Sequence, residues 1–344
     1  MNPHRQDVPL GRSRSRREAL RVFAVSGAAA LAWAVGRRRV AAATPVTRTR
    51  LMMGTGITLT VVGTDRDAAE AAADATLAEM DGLEALLSAY RADSQISRLN
   101  AAGRIDAPAP AVLDVLRLGT RVSEFGGGRF DLTVQPLLDL YAGPVWWRAA
   151  APSPQAVEAA RAHVDYRALR LDAAAVTLAR PGMRVTVDGI ATGYIIDRGV
   201  AVLRARGFDN LLVDVGGDIL VGGGPAAGRP WRIGLRNPRS GPPLLGRIEA
   251  RDCAVATSGD YMHAFTADRR QHHIVDPRTG YSPPELASST VIAPDAASAD
   301  ALSTLTLVLG ARRGRELLES LPGCEGYFVG KDLAVTRTSG FVLI

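Results

Sequence analysis

The order of its short apolar segments constrains the fold of this chain more than any other feature of the sequence. β-Branched or apolar runs bounded by Gly and Asp predict five strands, at residues 184–187, 210–215, 231–235, 246–250 and 289–292. These runs outnumber the helical segments and do not alternate with them, as they would in a doubly wound parallel sheet. We therefore expect an α+β fold with mainly antiparallel sheets and packed helices, built as a single unit of two closely joined subdomains.

Helical segments are recognised by apolar positions that recur every three or four residues. An Ala-, Leu- and Glu-rich stretch predicts a helix at residues 67–90, and further helices are predicted at 109–125, 192–207 and 298–310. The polar residues between the first two helices, 91–106, predict a turn region. Three prolines within residues 142–154 predict a flexible insertion.

The N-terminal segment has the layout of a removable export signal. Five arginines between positions 12 and 21 precede an apolar stretch at 23–36, and three alanines follow at 41–43. A membrane anchor is the alternative, but this apolar stretch is shorter than the roughly 20 residues that span a bilayer. The layout favours a signal peptide with a small-residue cleavage site.

The arginine pair in this segment indicates the export route. Arg16, Arg17 and Leu20 resemble a twin-arginine motif. We therefore expect a twin-arginine signal peptide at residues 1–43, a single functional domain at 44–344, and a periplasmic or otherwise exported protein.

The basic charge of the chain belongs to this signal. Nine arginines against Asp7 and Glu18 give residues 1–43 a charge of +7, whereas the whole chain carries +6, so residues 44–344 are near −1. A nucleic-acid partner is therefore not indicated. In an oxidising compartment Cys253 and Cys324 can form a disulfide or remain two free thiols, and the sequence does not decide between them.

Residues 185–194 read as a strand that ends in small residues and opens a helix. The free N–H groups of such a junction can hold phosphate, and Gly189, Ala191 and Gly193 would let a ligand approach the main chain. A plain strand-to-helix turn explains the pattern equally well. The next segment, 210–219, reads as a buried strand followed by a Gly-Gly turn, with Asp218 as a cap or a solvated side chain.

A histidine pair, His272 and His273, is the most specific local signal. If the pair lies beside a strand, its side chains alternate, so only one imidazole faces a ligand site. A metal site is the competing interpretation, but adjacent residues on opposite faces make poor joint ligands, and no third His or Cys is expected nearby.

Asp300 and Thr304 stand four residues apart in the last predicted helix and therefore share a face. A carboxylate and a hydroxyl presented together suit a hard cation such as Mg²⁺. In the alternative, Asp300 caps the helix and Thr304 packs in the core. When these two residues are considered without the rest of the sequence, this alternative is favoured.

Taken together and in order, these segments resemble the periplasmic FAD:protein FMN transferases. The resemblance covers nearly all of residues 44–344. The matching stretches are 53–55, 86–100, 128–137, 185–194, 210–219, 254–261, 271–280 and 299–307. The forms of the fourth and last stretches are most similar to the branch of the family that carries twin-arginine signals.

The resemblance implies a set of site residues. The side chains and main-chain groups implied for FAD binding are Met53, Tyr90, Arg129, Phe130, Asp131, Thr186, Thr192, His273 and Ile274. Mg²⁺ is implied at the main-chain carbonyl of Gly189 and at the side chains of Asp300 and Thr304. With the resemblance, the metal site is therefore favoured over the alternative in which Asp300 caps the helix and Thr304 packs. Thr186 and Thr192 depart from the Asp and Lys that many members carry, and the first departure puts one FAD contact in doubt.

The resemblance further implies a magnesium-dependent enzyme that cleaves FAD, transfers FMN to a Thr or Ser hydroxyl of an exported or membrane-attached protein, and releases AMP. Asp300 would act through the metal. His273, with an ordinary pKa near 6.5, would accept the proton of the attacking hydroxyl. Two alternatives remain open: an exported FAD pyrophosphatase that uses the same residues, and a non-catalytic FAD-binding protein, which would not need metal chemistry.

Overall fold

The computed structural model describes residues 43–141, 152–226 and 228–344. The expected signal peptide at 1–43 and most of the expected insertion at 142–154 lie outside the described residues and stay predictions. From Ala43 to Ile344 the chain forms one compact unit.

Helices and strands alternate irregularly along the described residues. The helices are Arg66–Leu87 (α1), Gln95–Ala102 (α2), Pro110–Phe125 (α3), Gln135–Asp139 (α4), Pro154–Arg161 (α5), Ala191–Ala205 (α6), Ala296–Leu309 (α7) and Ala311–Glu319 (α8), with a 3-10 turn at Tyr166–Ala168. The strands are Thr44–Met52 (β1), Thr55–Gly63 (β2), Arg104–Asp106 (β3), Leu169–Leu171 (β4), Ala175–Leu178 (β5), Leu211–Val215 (β6), Asp218–Gly222 (β7), Trp231–Arg236 (β8), Leu244–Ala250 (β9), Cys253–Gly259 (β10), Leu286–Ala293 (β11), Glu325–Gly330 (β12) and Val335–Arg337 (β13).

An eight-stranded sheet organises the molecule, in the order β1-β2-β6-β7-β10-β11-β12-β13. Smaller sheets of three strands (β3-β5-β4) and two strands (β8-β9) flank it. All these strand pairs are antiparallel. The predicted α+β fold with mainly antiparallel sheets is thus confirmed.

Helix α1 shows how the predicted periodicity becomes a buried face. Its N-cap, Asp65, accepts a hydrogen bond from the Ala68 N–H at 3.0 Å, which satisfies one of the free N–H groups at the start of the helix. Its buried residues recur at helical spacing: Ala69, Ala72, Ala73, Thr76, Leu77, Met80, Leu83 and Leu87. The prediction of a helix at 67–90 is confirmed, with its end three residues earlier.

Helix α7 is buried around most of its circumference, because it packs on β10, β11 and α6 at once. A helix that is apolar on all sides belongs in a core. Asp300 and Ser303 are therefore polar residues in an otherwise apolar setting, where an unsatisfied polar group is costly.

Two local predictions were wrong. Residues 184–187 form no strand, because the Asn100 side chain binds both the Val185 carbonyl (2.8 Å) and the Val185 N–H (2.6 Å), and the Thr186 N–H binds the Leu132 carbonyl (2.8 Å). Residues 91–106 are not only turns. They contain α2, which Ser94 caps through the Ser97 N–H at 2.9 Å, and the short strand β3.

Both cysteines, Cys253 and Cys324, are free thiols. In the described part of the chain, no helix combines the length and the apolar character needed to cross a membrane.

Candidate active site

Asp300 and Thr304 lie one turn apart on α7, where that helix meets the turn before α6. Asp300 Oδ2 accepts a hydrogen bond from the Gly193 N–H at 3.1 Å. A Cβ atom placed on Gly189 would lie 3.4 Å from Thr304 Oγ1, so the main chain of Gly189 and this hydroxyl are close neighbours. A carboxylate, a hydroxyl and a main-chain turn thus meet at the α6–α7 contact.

Asp300 is only 6% exposed, and its electrostatic setting is unfavourable for a lone carboxylate. Burial raises the pKa of Asp300 well above its ordinary value, and the nearby carboxylate of Asp218 raises it further. Burial likewise raises the pKa of Asp218 to about 7. Among the described residues, neither carboxylate makes an ion pair with a basic side chain. A cation beside Asp300 would favour the charged form.

Asp218 was not predicted as a site residue. It follows Gly217, which has a φ of 111° that glycine adopts readily, in the tight turn between β6 and β7. This turn directs the β7 strand back toward β10 and α7. The Gly-Gly-Asp sequence was the available signal, but the closeness of Asp218 to Asp300 depends on contacts across the sheet.

Three hydroxyl groups form a chain of hydrogen bonds beside Asp300. Ser258 Oγ on β10 lies 2.7 Å from Ser303 Oγ and 3.1 Å from Thr304 Oγ1, and Ser303 Oγ donates to the Asp300 carbonyl at 2.9 Å. Ser258 thereby fixes the rotamer of Thr304. Ser258 lies in the stretch 254–261 that matches the family, but its side chain was not predicted to be part of the site.

Tyr90 and Asp188 form a second polar pair next to Gly189. Tyr90 Oη donates to Asp188 Oδ2 at 3.0 Å, and the Asp188 N–H donates to Thr186 Oγ1 at 3.2 Å. Burial raises the pKa of Asp188, while the hydrogen bonds from Tyr90 and Thr186 lower it. The Asp188 carboxylate in turn raises the pKa of Tyr90, so its hydroxyl stays a donor. Asp188 was not predicted as a site residue.

The ring of Tyr90 is 86% exposed and borders a cavity of about 300 Å³. The cavity is also lined by Ala89, Ser97, Asn100, Ala101, Gln135 and Arg184. An exposed aromatic ring at the mouth of a polar cavity is suited to stack on a planar ligand group.

Three histidines cluster in the segment between β10 and β11. The ring centroids of His263 and His273 are 5.2 Å apart and those of His272 and His273 are 6.3 Å apart, both pairs in edge-to-face arrangements. The expectation that no third histidine lies nearby was therefore wrong, because residues 260–285 fold back on themselves. The expected strand beside the pair is also absent: His272 makes only an isolated bridge to Ala264.

A metal site at the histidines is not supported by the described residues. In the ranges that the structure describes, no cluster of three or more His, Cys, Asp or Glu side chains is arranged to hold a metal ion. Burial, together with the neighbouring His263 and His272, lowers the pKa of His273 to about 3. His273 is therefore neutral at pH 7, and its buried Nδ1 has no hydrogen-bond partner among the described residues.

The predicted residues Arg129, Phe130 and Asp131 have different environments. The Phe130 ring lies against the turn at Gly189, 3.2 Å from a Cβ placed there. The Asp131 carboxylate binds other groups of the protein. It accepts hydrogen bonds from Thr133 N–H (2.8 Å), Thr133 Oγ1 (2.6 Å) and Tyr166 N–H (3.0 Å). Burial, together with Arg278 and Arg313, lowers the pKa of the Arg129 guanidinium.

The remaining predicted residues, Met53, Thr192 and Ile274, make no hydrogen bond to Asp300 or Thr304 among the described residues. Met53 has a φ of 51° in the β1–β2 turn and packs against the core. Thr192 lies in the first turn of α6. Ile274 is buried, and its N–H donates to His272 Nδ1 at 3.3 Å.

Gly193 has a different role from the one expected. A Cβ atom at Gly193 would lie 2.2 Å from the Ala296 carbonyl oxygen and 2.7 Å from the Ala297 Cα. The glycine therefore allows α6 and α7 to touch, rather than allowing a ligand to approach.

The sequence of this chain matches a known protein family. Residues 53–328 match the model of the ApbE family. The chain is 34% identical to the FAD:protein FMN transferase of Treponema pallidum over 334 residues, which cover 89% of this chain and 90% of the relative. It is 30% identical to the FAD:protein FMN transferase of Klebsiella pneumoniae, with 81% and 83% of the two chains covered.

Solved structures agree with the sequence comparison. The ApbE protein of Thermotoga maritima superposes with a TM-score of 0.79 at 28% identity, covering 86% of this chain and 97% of the other. The flavin transferase ApbE of Vibrio cholerae superposes with a TM-score of 0.74 at 28% identity, covering 87% and 98%.

Proposed function

Because this chain belongs to the ApbE family and is an FAD:protein FMN transferase, we propose that it uses Mg²⁺ to attach the FMN half of FAD to a Thr or Ser hydroxyl of an exported acceptor protein. The observation that carries the proposal is the meeting of the Asp300 carboxylate, the Thr304 hydroxyl and the Gly189 turn at the α6–α7 contact.

These residues fit Mg²⁺ in their chemistry. All the donors are hard oxygens, and the Gly193 N–H binds Asp300 Oδ2, while no hydrogen bond from the described residues occupies Oδ1. Mg²⁺ prefers such ligands and keeps several waters and phosphate oxygens as its other partners. The pKa of Asp300, raised by burial and by Asp218, is the further sign that this site is suited to positive charge.

A bound Mg²⁺ would act as a Lewis acid on the pyrophosphate of FAD and neutralise charge in the transition state. Asp300, Thr304 and Gly189 would hold it. The Gly193 N–H orients the Asp300 carboxylate, and Ser258 orients the Thr304 hydroxyl, so both ligands are positioned before substrate binds. Tyr90 would stack on a flat ring of FAD at the mouth of the cavity.

The reaction balances as a phosphoryl-type transfer. The acceptor hydroxyl oxygen attacks the phosphorus of the FMN half, the P–O bond to the AMP half breaks, and AMP leaves with that oxygen. The hydroxyl proton goes to His273, whose neutral imidazole can accept it. Negative charge on a nearby pyrophosphate would raise the pKa of His273 above its value in the free protein and make it a better base.

The place of action is part of the same proposal. The arginine-rich, apolar and alanine segments within residues 1–43 support export by the twin-arginine route. The acceptor would then be an exported or membrane-attached protein.

The test is a labelling reaction with the purified protein, FAD, Mg²⁺ and a candidate acceptor domain, followed by in-gel flavin fluorescence of the denatured acceptor. We expect covalent fluorescence that disappears with EDTA and with Asp300→Asn, and that persists with Asp81→Asn, an exposed carboxylate on α1. Formation of AMP and free FMN without labelling would indicate a hydrolase instead. Bound FAD with neither product would indicate a carrier.

A further inference from the structure

Asp197 joins α6 to the first turn of α7. Its carboxylate accepts hydrogen bonds from the Ala296 N–H at 2.8 Å and from the Ala297 N–H at 2.9 Å. The first N–H groups of a helix have no partner within the helix and are usually satisfied by the residue just before it. Here a side chain from another helix satisfies two of them.

This capping is additional to the ordinary cap of α7. Asp295, the N-cap, accepts from the Ser298 N–H at 2.7 Å and from Ser298 Oγ at 2.9 Å. The start of α7 therefore has a local carboxylate that stabilises the helix and a second carboxylate that ties it to α6. Both negative carboxylates also interact favourably with the positive N-terminal end of the α7 dipole.

A second hydrogen bond connects α6 and α7 one helical turn away, in the opposite direction. Gly193 on α6 donates to Asp300 on α7, whereas the N–H groups at the start of α7 donate to Asp197 on α6. Gly193 and Asp197 are four residues apart, as are Ala296 and Asp300, so the two connections brace one helical turn against another. The close main-chain contact at Gly193 leaves no room for a shift between them.

The brace spans the candidate metal site. Gly189 lies two residues before the first residue of α6, and Asp300 and Thr304 belong to α7. The spacing between the Gly189 carbonyl and the two side chains is therefore set by how α7 lies on α6.

We propose that Asp197 is a positioning residue that sets the geometry of the magnesium ligands by fixing the start of α7 on α6. The inference rests on the proposed function, because it assumes Mg²⁺ at Gly189, Asp300 and Thr304. Asp197 makes no hydrogen bond to those residues and takes no part in the chemistry. It acts on the metal ligands through the helix contact, and its charge also raises the pKa of Asp300.

The test compares two carboxylates at the same end of α7. Asp197→Asn keeps the shape of the side chain but replaces one acceptor oxygen with an NH₂ group, which faces a main-chain N–H. Asp295→Ala removes the ordinary cap, at a cost of about 1 kcal/mol, and leaves the tie to α6 intact. Mg²⁺ binding to each purified protein is measured by isothermal titration calorimetry, and thermal unfolding is measured without metal.

We expect Asp197→Asn to weaken Mg²⁺ binding about 10-fold, as loss of supporting hydrogen bonds around metal ligands commonly does. Asp295→Ala should bind Mg²⁺ within about twofold of the wild type although it also lowers the unfolding temperature. In the labelling reaction, Asp197→Asn should need more Mg²⁺ for half-maximal rate and approach the wild-type rate at saturation.

Equal Mg²⁺ affinities of wild type and Asp197→Asn would overturn this inference and leave the proposed function standing, as would equal weakening by both variants. A wild-type protein that binds no Mg²⁺ would overturn the metal site and this inference together. Asp197→Glu is measured beside it with the same expectation, because Asp197→Asn also removes a charge that acts on Asp300, and it replaces Asp197→Asn if that variant gives no cooperative unfolding transition. Asp197→Glu keeps the charge but moves the oxygens by one methylene.

Discussion

His273 illustrates how a buried environment changes the chemistry of a single residue. Its ordinary pKa near 6.5 would leave it partly charged at pH 7, but burial and two neighbouring imidazoles lower the pKa to about 3. The low pKa leaves the ring neutral at pH 7, able to accept a proton but a weak base in the free protein. The proposed base role therefore depends on the rise in the pKa of His273 that the negative charge of a bound pyrophosphate would produce.

Replacing His273 with Ala should lower the labelling rate at saturating FAD by about 10²- to 10⁴-fold, the usual contribution of a general base. The KM for FAD should change by less than about threefold, because the proton transfer occurs only in the transition state. His163→Ala, at a partly exposed histidine in a different segment, is the control. A His273→Ala protein that labels the acceptor at the wild-type rate would exclude this role.

Several residues of the site were beyond the reach of sequence reasoning for one physical reason. Ser258 meets Thr304 from a position 46 residues earlier, and Tyr90 meets Asp188 across 98 residues. Side-chain periodicity predicts which residues share a face within one element, as it did for Asp300 and Thr304. It contains no information on which faces of distant elements meet, so Ser258, Asp188 and Asp218 were not assigned.

At the scale of the elements, four of the five predicted strands, β6, β8, β9 and β11, pair with other strands, and the fifth, at residues 184–187, does not form. The other nine strands of the described residues were not predicted. Residues 184–187 have the β-branched composition of a strand, but their main chain bonds to Asn100 and Leu132. The composition of a segment indicates a preference for extended backbone. Which groups its main chain then binds is decided by tertiary contacts. The helices α1, α3, α6 and α7 were predicted to within a few residues because their apolar faces are long.

The α6–α7 contact gives a prediction for Gly193. Gly193→Ala places a Cβ atom 2.2 Å from the Ala296 carbonyl oxygen, so the helices must separate. We expect the free energy of unfolding, measured in urea, to fall by more than about 2 kcal/mol, and Mg²⁺ binding to weaken. Gly82→Ala on α1, where a Cβ atom meets nothing within 4 Å, should instead raise stability by about 0.5–1 kcal/mol. Similar stabilities of the two variants would contradict the close contact.

A buried ion pair anchors the segment that carries His273. Arg239 donates to both oxygens of Asp260, at 2.8 and 2.7 Å, and the Asp260 side chain is fully buried. Lys331 lies 3.9 Å from the same carboxylate and donates to the Arg269 carbonyl at 3.2 Å. Asp260 directly follows β10, so the pair fixes the start of the histidine segment.

Arg239→Gln should lower the free energy of unfolding by about 3 kcal/mol, because it removes both close hydrogen bonds to the buried Asp260 carboxylate and leaves it only Lys331 at 3.9 Å. Hydrogen exchange in residues 261–275 should become faster. The matched control is Arg232→Gln on β8, whose ion pair with Glu249 at 3.5 Å is exposed and should contribute less than about 1 kcal/mol. If exchange in 261–275 is unchanged, the pair does not anchor the segment.

For the whole molecule, the buried histidines link global stability to pH. His272 is fully buried, and burial together with Lys331 and Arg239 lowers its pKa to about 3. In the unfolded chain its pKa is near 6.5. Between these values the unfolded state binds a proton that the folded state does not, so the free energy of unfolding falls as the pH is lowered from 7. The slope from one such group is at most about 1.4 kcal/mol per pH unit.

His272→Asn isolates this contribution, since an Asn oxygen can replace Nδ1 as the acceptor for the Ile274 N–H and the variant loses the ionisable ring. We expect the decrease in unfolding free energy between pH 7 and pH 5, measured by urea denaturation, to be smaller than in the wild type by about 1–2 kcal/mol. His273 and the buried carboxylates are present in both proteins, so their own pH dependence cancels in the difference. His163→Asn, at a partly exposed position, should follow the wild-type curve. Parallel curves for wild type and His272→Asn would mean that His272 takes up a proton equally in the folded and unfolded chains, and that its burial does not contribute to the loss of stability in acid.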